Sequence, residues 1–263
     1  MKPPVFNSGW PDDVKAVYHH DIQEIWDPNI ARHIWNQYHN QLEQYLSLVE
    51  GKSRLEILDV GCAQGTLALR LAERGHEVWA MDIRQQFLDY AASRYEKGDV
   101  HFICGNAMEV ELDKQFDLIF ANQIVEHLIY PLEFTQRLVK FLKPGGTLVM
   151  TTPNGDYIKN SLPSYSELGE VQQYVDRQFT FDGDGHFFAY RCGELKQIFA
   201  QAGLQEVTAS CFETPFISGH MKVRYAHSLL SQRFLSQLDR LTLRTPKIGV
   251  RLAHQMMVKG ERV

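Results

Sequence analysis

The sequence predicts an α/β fold on a doubly wound, mostly parallel sheet. Short apolar runs alternate with amphipathic stretches from residue 55 onward, which is the pattern of repeated β-α-β units. The stretch "LEILDVGCAQGTLALRLAERGHEVWAMD" (55–82) runs strand, glycine turn, helix, strand, and closes on an aspartate. At 263 residues with a hydrophobic fraction of 44%, the chain can bury one large α/β core.

Each element has its own signal. Residues 1–50 are polar and aromatic-rich, and Ile30, Ile34, Tyr38, Leu42, Tyr45, Leu46 and Val49 recur near helical spacing. They predict a helical cap over 1–50. "LEILDVG" is a short buried strand, and Thr66 to Arg74 is a helix ended near Gly75. "HEVWAMD", "DVHFICG" and "QFDLIFAN" are further strands, with a helix at 84–95 after the first of them. "PLEFTQRLVKFLKPGG" is a helix opened by Pro131 and closed by Pro144-Gly145-Gly146. "GTLVMTTPN" is the next strand. Residues 154–190 then break the rhythm with a long polar insertion, of a size that is usually functional. Helix "RCGELKQIFAQAGL" and strand "QEVTASCF" resume it. Residues 213–250 read as helical, and "AHQMMVKGE" as a returning strand. The predicted division is a cap, 1–50, and a main domain, 51–263, with substrate lids at about 154–190 and 213–250.

Bulk properties exclude some classes. A net charge of -5 disfavours extended contact with a nucleic-acid backbone. No run approaches the roughly 18 apolar residues that span a bilayer. "MKPPVFNSGWPDD" has no apolar signal core, so no membrane and a cytoplasmic setting are expected. Cys62, Cys104, Cys192 and Cys211 lie far apart in sequence without a C-x-x-C pair, and read as free thiols.

The glycine turn carries the ligand reading. Gly61 and Gly65 let the chain bend tightly and bring backbone N–H groups to a ligand. Asp82, ending the second strand, can accept both hydroxyls of an adenosine ribose. NAD and S-adenosylmethionine both carry that ribose, so the spacing has to separate them. The loop Asp59-Val60-Gly61-Cys62-Ala63-Gln64-Gly65 lacks the G-x-G-x-x-G fingerprint. Asp59 beside it is a poor neighbour for a pyrophosphate and a tolerable one for an ammonium and a sulfonium. The reading favours S-adenosylmethionine.

With these motifs in order, the chain resembles a class I S-adenosylmethionine-dependent methyltransferase over about residues 30–212, and within it the ubiquinone-pathway and natural-product O-methyltransferase group. "ILDVGCAQG", "VWAMD", "ICGNAME", "FDLIFANQIVEHL" and "LKPGGTLVMTTPN" carry the resemblance. One departure is Ala63, where the family often has glycine. The resemblance implies a seven-stranded sheet of the Rossmann-like kind with its last strand antiparallel. It implies cofactor contacts from Asp59, Gly61, Cys62, Gly65, Asp82, Ile83, Asn106, Ala107, and Asn122 or Gln123, with S-adenosylhomocysteine as product. Tyr38 or His39 would approach the methionine end, against a plain packing role for both.

For the acceptor, transfer to a hydroxyl needs positioning and a proton acceptor. Glu126 and His127 in "NQIVEHL" follow the fourth strand at the carboxyl edge, where doubly wound sheets bind ligands. Histidine titrates in the range a general base needs. His186 lies in a Gly-Asp-rich turn after the insertion. The bland alternatives are a capping role for Glu126 and His127 and a turn histidine at 186. The arrangement is also similar to RNA 3′-end 2′-O-methyltransferases, in which Glu-x-x-Glu-His plus a later His binds a divalent metal. Here the first position is Gln123, a weaker ligand for a hard cation, and this weakens the metal expectation. The expected function is O-methylation of a hydroxyl on a small molecule (sugar, phenol or secondary metabolite) with His127 as base. The alternatives are N- or carboxyl-methylation of a small molecule, metal-assisted RNA-end methylation, and a non-enzymatic cofactor-binding protein. The basic stretches "KVRYAHSLL" and "DRLTLRTPK" read as solvated helix faces.

Overall fold

The computed structural model describes residues 1–169, 186, 188–245 and 247–263. The strands are β1 (Glu56–Val60), β2 (Glu77–Asp82), β3 (Asp99–Cys104), β4 (Phe116–Asn122), β5 (Leu142–Pro153), β6 (Leu204–Phe212) and β7 (Gln255–Arg262). They form one seven-stranded sheet in the order β3-β2-β1-β4-β5-β7-β6. This is the doubly wound, mostly parallel fold that the alternation predicts. The chain divides into two compact units, Met1–Glu111 with Pro215–Asp239, and Leu112–Thr214 with Arg240–Val263.

In the first unit β2 runs parallel to both β1 and β3, in register Ile57 with Val78 and Val78 with Val100. β1 is buried along four of its five residues, as a central strand of continuous apolar character must be. Helices α1 (Asp12–Asp21) and α2 (Arg32–Ser47), joined through a π-helical turn at Ile22–Trp26, make up most of residues 1–50. α3 (Thr66–Glu73) follows the glycine turn, and its Leu67, Ala68, Leu69, Leu71 and Ala72 are buried. α4 is Gln85–Ser93.

In the second unit β4 and β5 are parallel, and β7 lies antiparallel between β5 and β6. α5 (Pro131–Lys140) begins with Pro131 in its first turn, where a missing N–H costs nothing. It ends earlier than its sequence suggests. Lys143-Pro144-Gly145-Gly146 belongs to the start of β5, where the register to β4 shifts and Gly145 takes φ +78°. Proline and left-handed glycine fit an irregular strand entry better than a helix end here. α6 is Cys192–Gln201.

Of the expected lid at 154–190, residues 170–185 and 187 lie outside the described residues. Its described parts hold a single 3-10 turn at Tyr165–Glu167 and bridges Asn154 to Tyr190 and Ser164 to Ala189. The stretch 213–250 holds α7 (Pro215–Ser218), a 3-10 helix at Val223–Ser228 and α8 (Gln232–Leu243), with α9 (Ile248–Leu252) at its end, and it is divided between the two units. All four cysteines are free thiols. Cys192 and Cys211, distant in sequence, nevertheless have their sulfurs 3.4 Å apart.

Candidate active site

The glycine turn of the first unit is built from left-handed backbone. Gly61, Ala63 and Gly65 all have positive φ, at +66°, +45° and +74°. At Gly65 a Cβ would meet the Ala91 Cβ at 2.6 Å, so the loop and α4 approach as closely as glycine allows. Ala63 takes the left-handed conformation despite its Cβ. The turn is fastened by Cys62 N–H donating to the Met81 carbonyl (2.9 Å) and Gly65 N–H to the Cys62 carbonyl (2.7 Å).

Asp82 serves this loop directly. Its carboxylate accepts the Ala63 N–H at 3.0 Å and the Arg84 N–H at 3.0 Å, and it is almost fully buried. Ile83 beside it is exposed. Asp59 is buried at the end of β1, and its carboxyl is pushed up to about 7 by burial first and then by the Asp82 charge. The same burial and the two carboxylates raise the Cys62 thiol well above its ordinary value. This pair of buried carboxyls disfavours a further anion such as a pyrophosphate and favours a cationic ligand, which would bring Asp59 back to its charged form. The donor set therefore fits the amino group and sulfonium of S-adenosylmethionine. Asn106 spends its side chain locally, accepting the Met108 N–H at 3.0 Å and donating to Glu109 at 3.0 Å, with Ala107 buried beside it.

A second set of residues holds the turn from behind, and sequence reading misses it. Arg94 is fully buried. It donates to the Gln64 carbonyl at 2.6 Å and the Thr66 hydroxyl at 3.0 Å, and pairs with Asp21 at 2.8 Å. Asp21 also accepts from Tyr90 (2.9 Å) and Trp26 (3.1 Å). The Gln64 amide donates to Glu24 (3.0 Å) and Tyr38 (3.3 Å). Burial pushes Glu24 up to about 8. Tyr38 thus meets the glycine turn, whereas His39 stacks on Trp35 at 3.7 Å and bonds its carbonyl at 2.9 Å. Charged residues at helix positions gave no signal that they would be joined across 73 positions of sequence, from Asp21 to Arg94.

The second unit gathers the acceptor candidates. At the end of β4, Asn122 accepts the Thr151 hydroxyl at 2.9 Å. Gln123, at φ +54°, donates its amide to Gln255 at 3.0 Å and Thr151 at 3.3 Å. Val125–His127 form one 3-10 turn, pinned by the Tyr190 hydroxyl donating to the Val125 carbonyl at 3.3 Å. The His127 and His186 rings lie 4.8 Å apart, edge to face. Ligand atoms of Glu126, His127 and His186 all fall within 4.8 Å of one another. Glu126 is buried, and burial pushes its carboxyl up to about 8 against the smaller opposing pull of its own N–H and the Thr152 hydroxyl. Among the described residues, neither Glu126 oxygen completes a hydrogen bond of normal geometry. A buried carboxyl left this way is neutral near pH 7 unless a cation arrives. One oxygen and two imidazole nitrogens form a donor set suited to a borderline divalent ion.

Comparison with known proteins agrees with this architecture. Residues 58–150 match the family model described as a methyltransferase domain. The ubiquinone biosynthesis O-methyltransferase of Rickettsia akari is 35% identical over 104 residues, 39% of this chain and 41% of that protein. The chain thus spans less than half the length of this curated relative. Among solved structures, a SAM-dependent methyltransferase from Archaeoglobus fulgidus aligns over 93% of this chain and 99% of its own, with TM-score 0.58 and 15% identity. Phosphoethanolamine N-methyltransferase 2 of Haemonchus contortus, in complex with S-adenosyl-L-methionine, aligns over 98% of this chain and 61% of its own, with TM-score 0.59 and 16% identity. At such identities these two show the fold alone.

The fold and the order of the motifs thus agree with the match of residues 58–150 to a methyltransferase domain. Over about two fifths of its length the sequence is similar to ubiquinone biosynthesis O-methyltransferases.

Proposed function

We propose that the protein methylates a hydroxyl on a small molecule, a sugar, a phenol or a secondary metabolite, with His127 as the general base. The observation that carries this reading is the convergence of Glu126, His127 and His186 after β4. The O-methyltransferase relatives support the choice of oxygen. When bound, S-adenosylmethionine supplies a methyl group on a sulfonium, open to in-line displacement.

The chain's own residues do the rest. Asp82 holds the ribose hydroxyls with the carboxylate capacity left after Ala63 and Arg84, and Asp59 faces the ligand's positive end. Ile83, Asn106 and Ala107 border the adenine, with Asn122 or Gln123 as a further cofactor contact. His127 takes the acceptor's proton, and His186 beside it orients the ring and shares the charge. The positive charge that His127 gains favours release of the Glu126 proton to water, and the resulting carboxylate stabilises the imidazolium until His127 gives its own proton to solvent.

A second reading rests on the same cluster. Glu126, His127 and His186 would hold a divalent ion, which lowers the pKa of a bound hydroxyl. Gln123 would be the weaker fourth ligand, a neutral amide oxygen whose Nε2 is held by Gln255 and Thr151.

The deciding experiment is calorimetric titration of Mn²⁺ and Mg²⁺ into metal-stripped protein saturated with S-adenosylhomocysteine, followed by turnover against hydroxyl acceptors. Heat that is lost in Glu126→Ala or His186→Ala selects the metal reading. Absence of heat, with turnover that collapses in His127→Ala, supports the base reading. Turnover of His127→Ala within about fivefold of the parent overturns it, since general-base loss costs ~10²–10⁴, and an amine or carboxylate becomes the acceptor.

A further inference from the structure

The first unit carries a surface that the methyltransferase reading does not use. Residues 214–238 contain no Asp or Glu and hold Lys222, Arg224 and Arg233, a local charge of +3 in a chain of net charge -5. All three cations are exposed. Cations alone would fit the solvated helix face expected from the sequence. What does not fit is their company. Met221 is 45% exposed, Tyr225 63%, Leu229 85%, Leu230 39% and Phe234 45%.

The exposure is not slack packing, because the opposite side of the segment is anchored. Ile217, His227 and Leu235 are buried. The His227 ring meets the Asn36 amide of α2 at 2.8 Å, and burial lowers its pKa to about 4, so it stays neutral there. Gly219 packs so closely on His33 that a Cβ would lie 2.9 Å from the His33 Cβ. Met221 and Lys222 are both held at left-handed φ, +55° and +68°, a conformation that costs side-chain-bearing residues ~1 kcal/mol or more each. The Arg224 guanidinium lies over the Tyr225 ring at 5.1 Å.

Aliphatic tips, aromatic rings and cations interleaved on one anchored segment are the composition of an interfacial surface. A nucleic acid would use the cations but gain nothing from an exposed Leu229. We propose that this segment docks the protein on a lipid bilayer bearing anionic headgroups. Lys222, Arg224 and Arg233 pair with the headgroup phosphates. Met221, Tyr225, Leu229 and Phe234 enter the headgroup layer. No described helix is long and apolar enough to cross a membrane, so the association is peripheral.

The test is flotation of the full chain with phosphatidylcholine vesicles, with and without about one third phosphatidylglycerol. The expected result is binding to the anionic vesicles only, weakened by salt. Each of Lys222→Glu, Arg224→Glu and Arg233→Glu should lower partitioning by about fivefold or more. Leu229→Asp should lower it more than tenfold by removing an inserted side chain. Calorimetry with S-adenosylhomocysteine checks that each variant is folded, and Lys52→Glu, outside the segment, controls for net charge. The proposal is overturned if the chain does not float with anionic vesicles, or if Lys52→Glu weakens flotation as much as the segment variants. It is also overturned if the parent is a dimer that Leu229→Asp dissociates, which would make a second copy the occupant.

Discussion

The two ends of the proposed reaction differ in how their carboxylates are occupied. In the first unit Asp82 already accepts two backbone N–H groups, and Asp21 accepts two side-chain donors beside its ion pair with Arg94, so the glycine turn is prebuilt. In the second unit the Glu126 carboxyl is buried and, among the described residues, lacks a hydrogen bond of normal geometry. The first arrangement stores rigidity for a fixed ligand. The second stores an unmet electrostatic need, which an acceptor's proton or a cation can answer.

Four measurements would break or sharpen that contrast. The largest effect is expected at His127. His127→Ala should lower kcat by ~10²–10⁴ while S-adenosylhomocysteine affinity stays within about twofold, measured by steady-state turnover beside calorimetry. Equal losses in both would erase the distinction between the two ends.

Glu126→Gln tests the unmet need through pH. The folded state holds the Glu126 proton up to about 8, against an ordinary 4.5. The folded protein therefore binds more protons than the unfolded chain between these values. Stability is lost as pH rises through that window. The variant should match the parent at pH 4 and exceed it at pH 9 by up to ~4 kcal/mol in denaturant unfolding. A constant gap at all pH values would show that Glu126 does not titrate in this range.

Asp82→Ala should weaken S-adenosylhomocysteine by roughly 10²-fold, since it removes charge-assisted bonds to ligand and loop together. Retained affinity would relocate the ribose contact. Tyr190→Phe is the mildest. It removes one donor to the Val125 carbonyl and should cost ~1 kcal/mol of stability and a few-fold in kcat. No change in kcat would mean that the Val125–His127 turn holds itself.

The same contrast explains what was legible. The glycine turn, Asp59 and Asp82 lie within 24 residues and act through local backbone shape, so their spacing alone reveals them. The strands and helices of the sheet were legible through periodicity for the same reason. The partners of Glu126 and His127 come from elsewhere. His186 arrives across an insertion, and Gln123, which looked like a weakened metal ligand, has its amide taken by Gln255, 132 positions away. Arg94 and Asp21 are ordinary charged residues until folding removes both from water. The Cys192–Cys211 approach had no sequence signal, because strand register and helix position together create it. The misplaced start of β5 had a local cause. Pro144-Gly145-Gly146 ends helices more often than it opens strands.

The position of β7 has a consequence for how the chain is made. β7 pairs with β5 on one side and β6 on the other, yet it is the last of the three to be synthesised. Residues 213–254 separate it from β6. At roughly 5–20 residues per second, the ribosome takes about 2–8 s to add them. Through that interval β5 and β6 each present the edge that β7 covers in the folded chain, and such edges recruit other nascent chains. Slowing initiation, so that fewer chains share one message, should raise the soluble yield more than lowering the final protein concentration does.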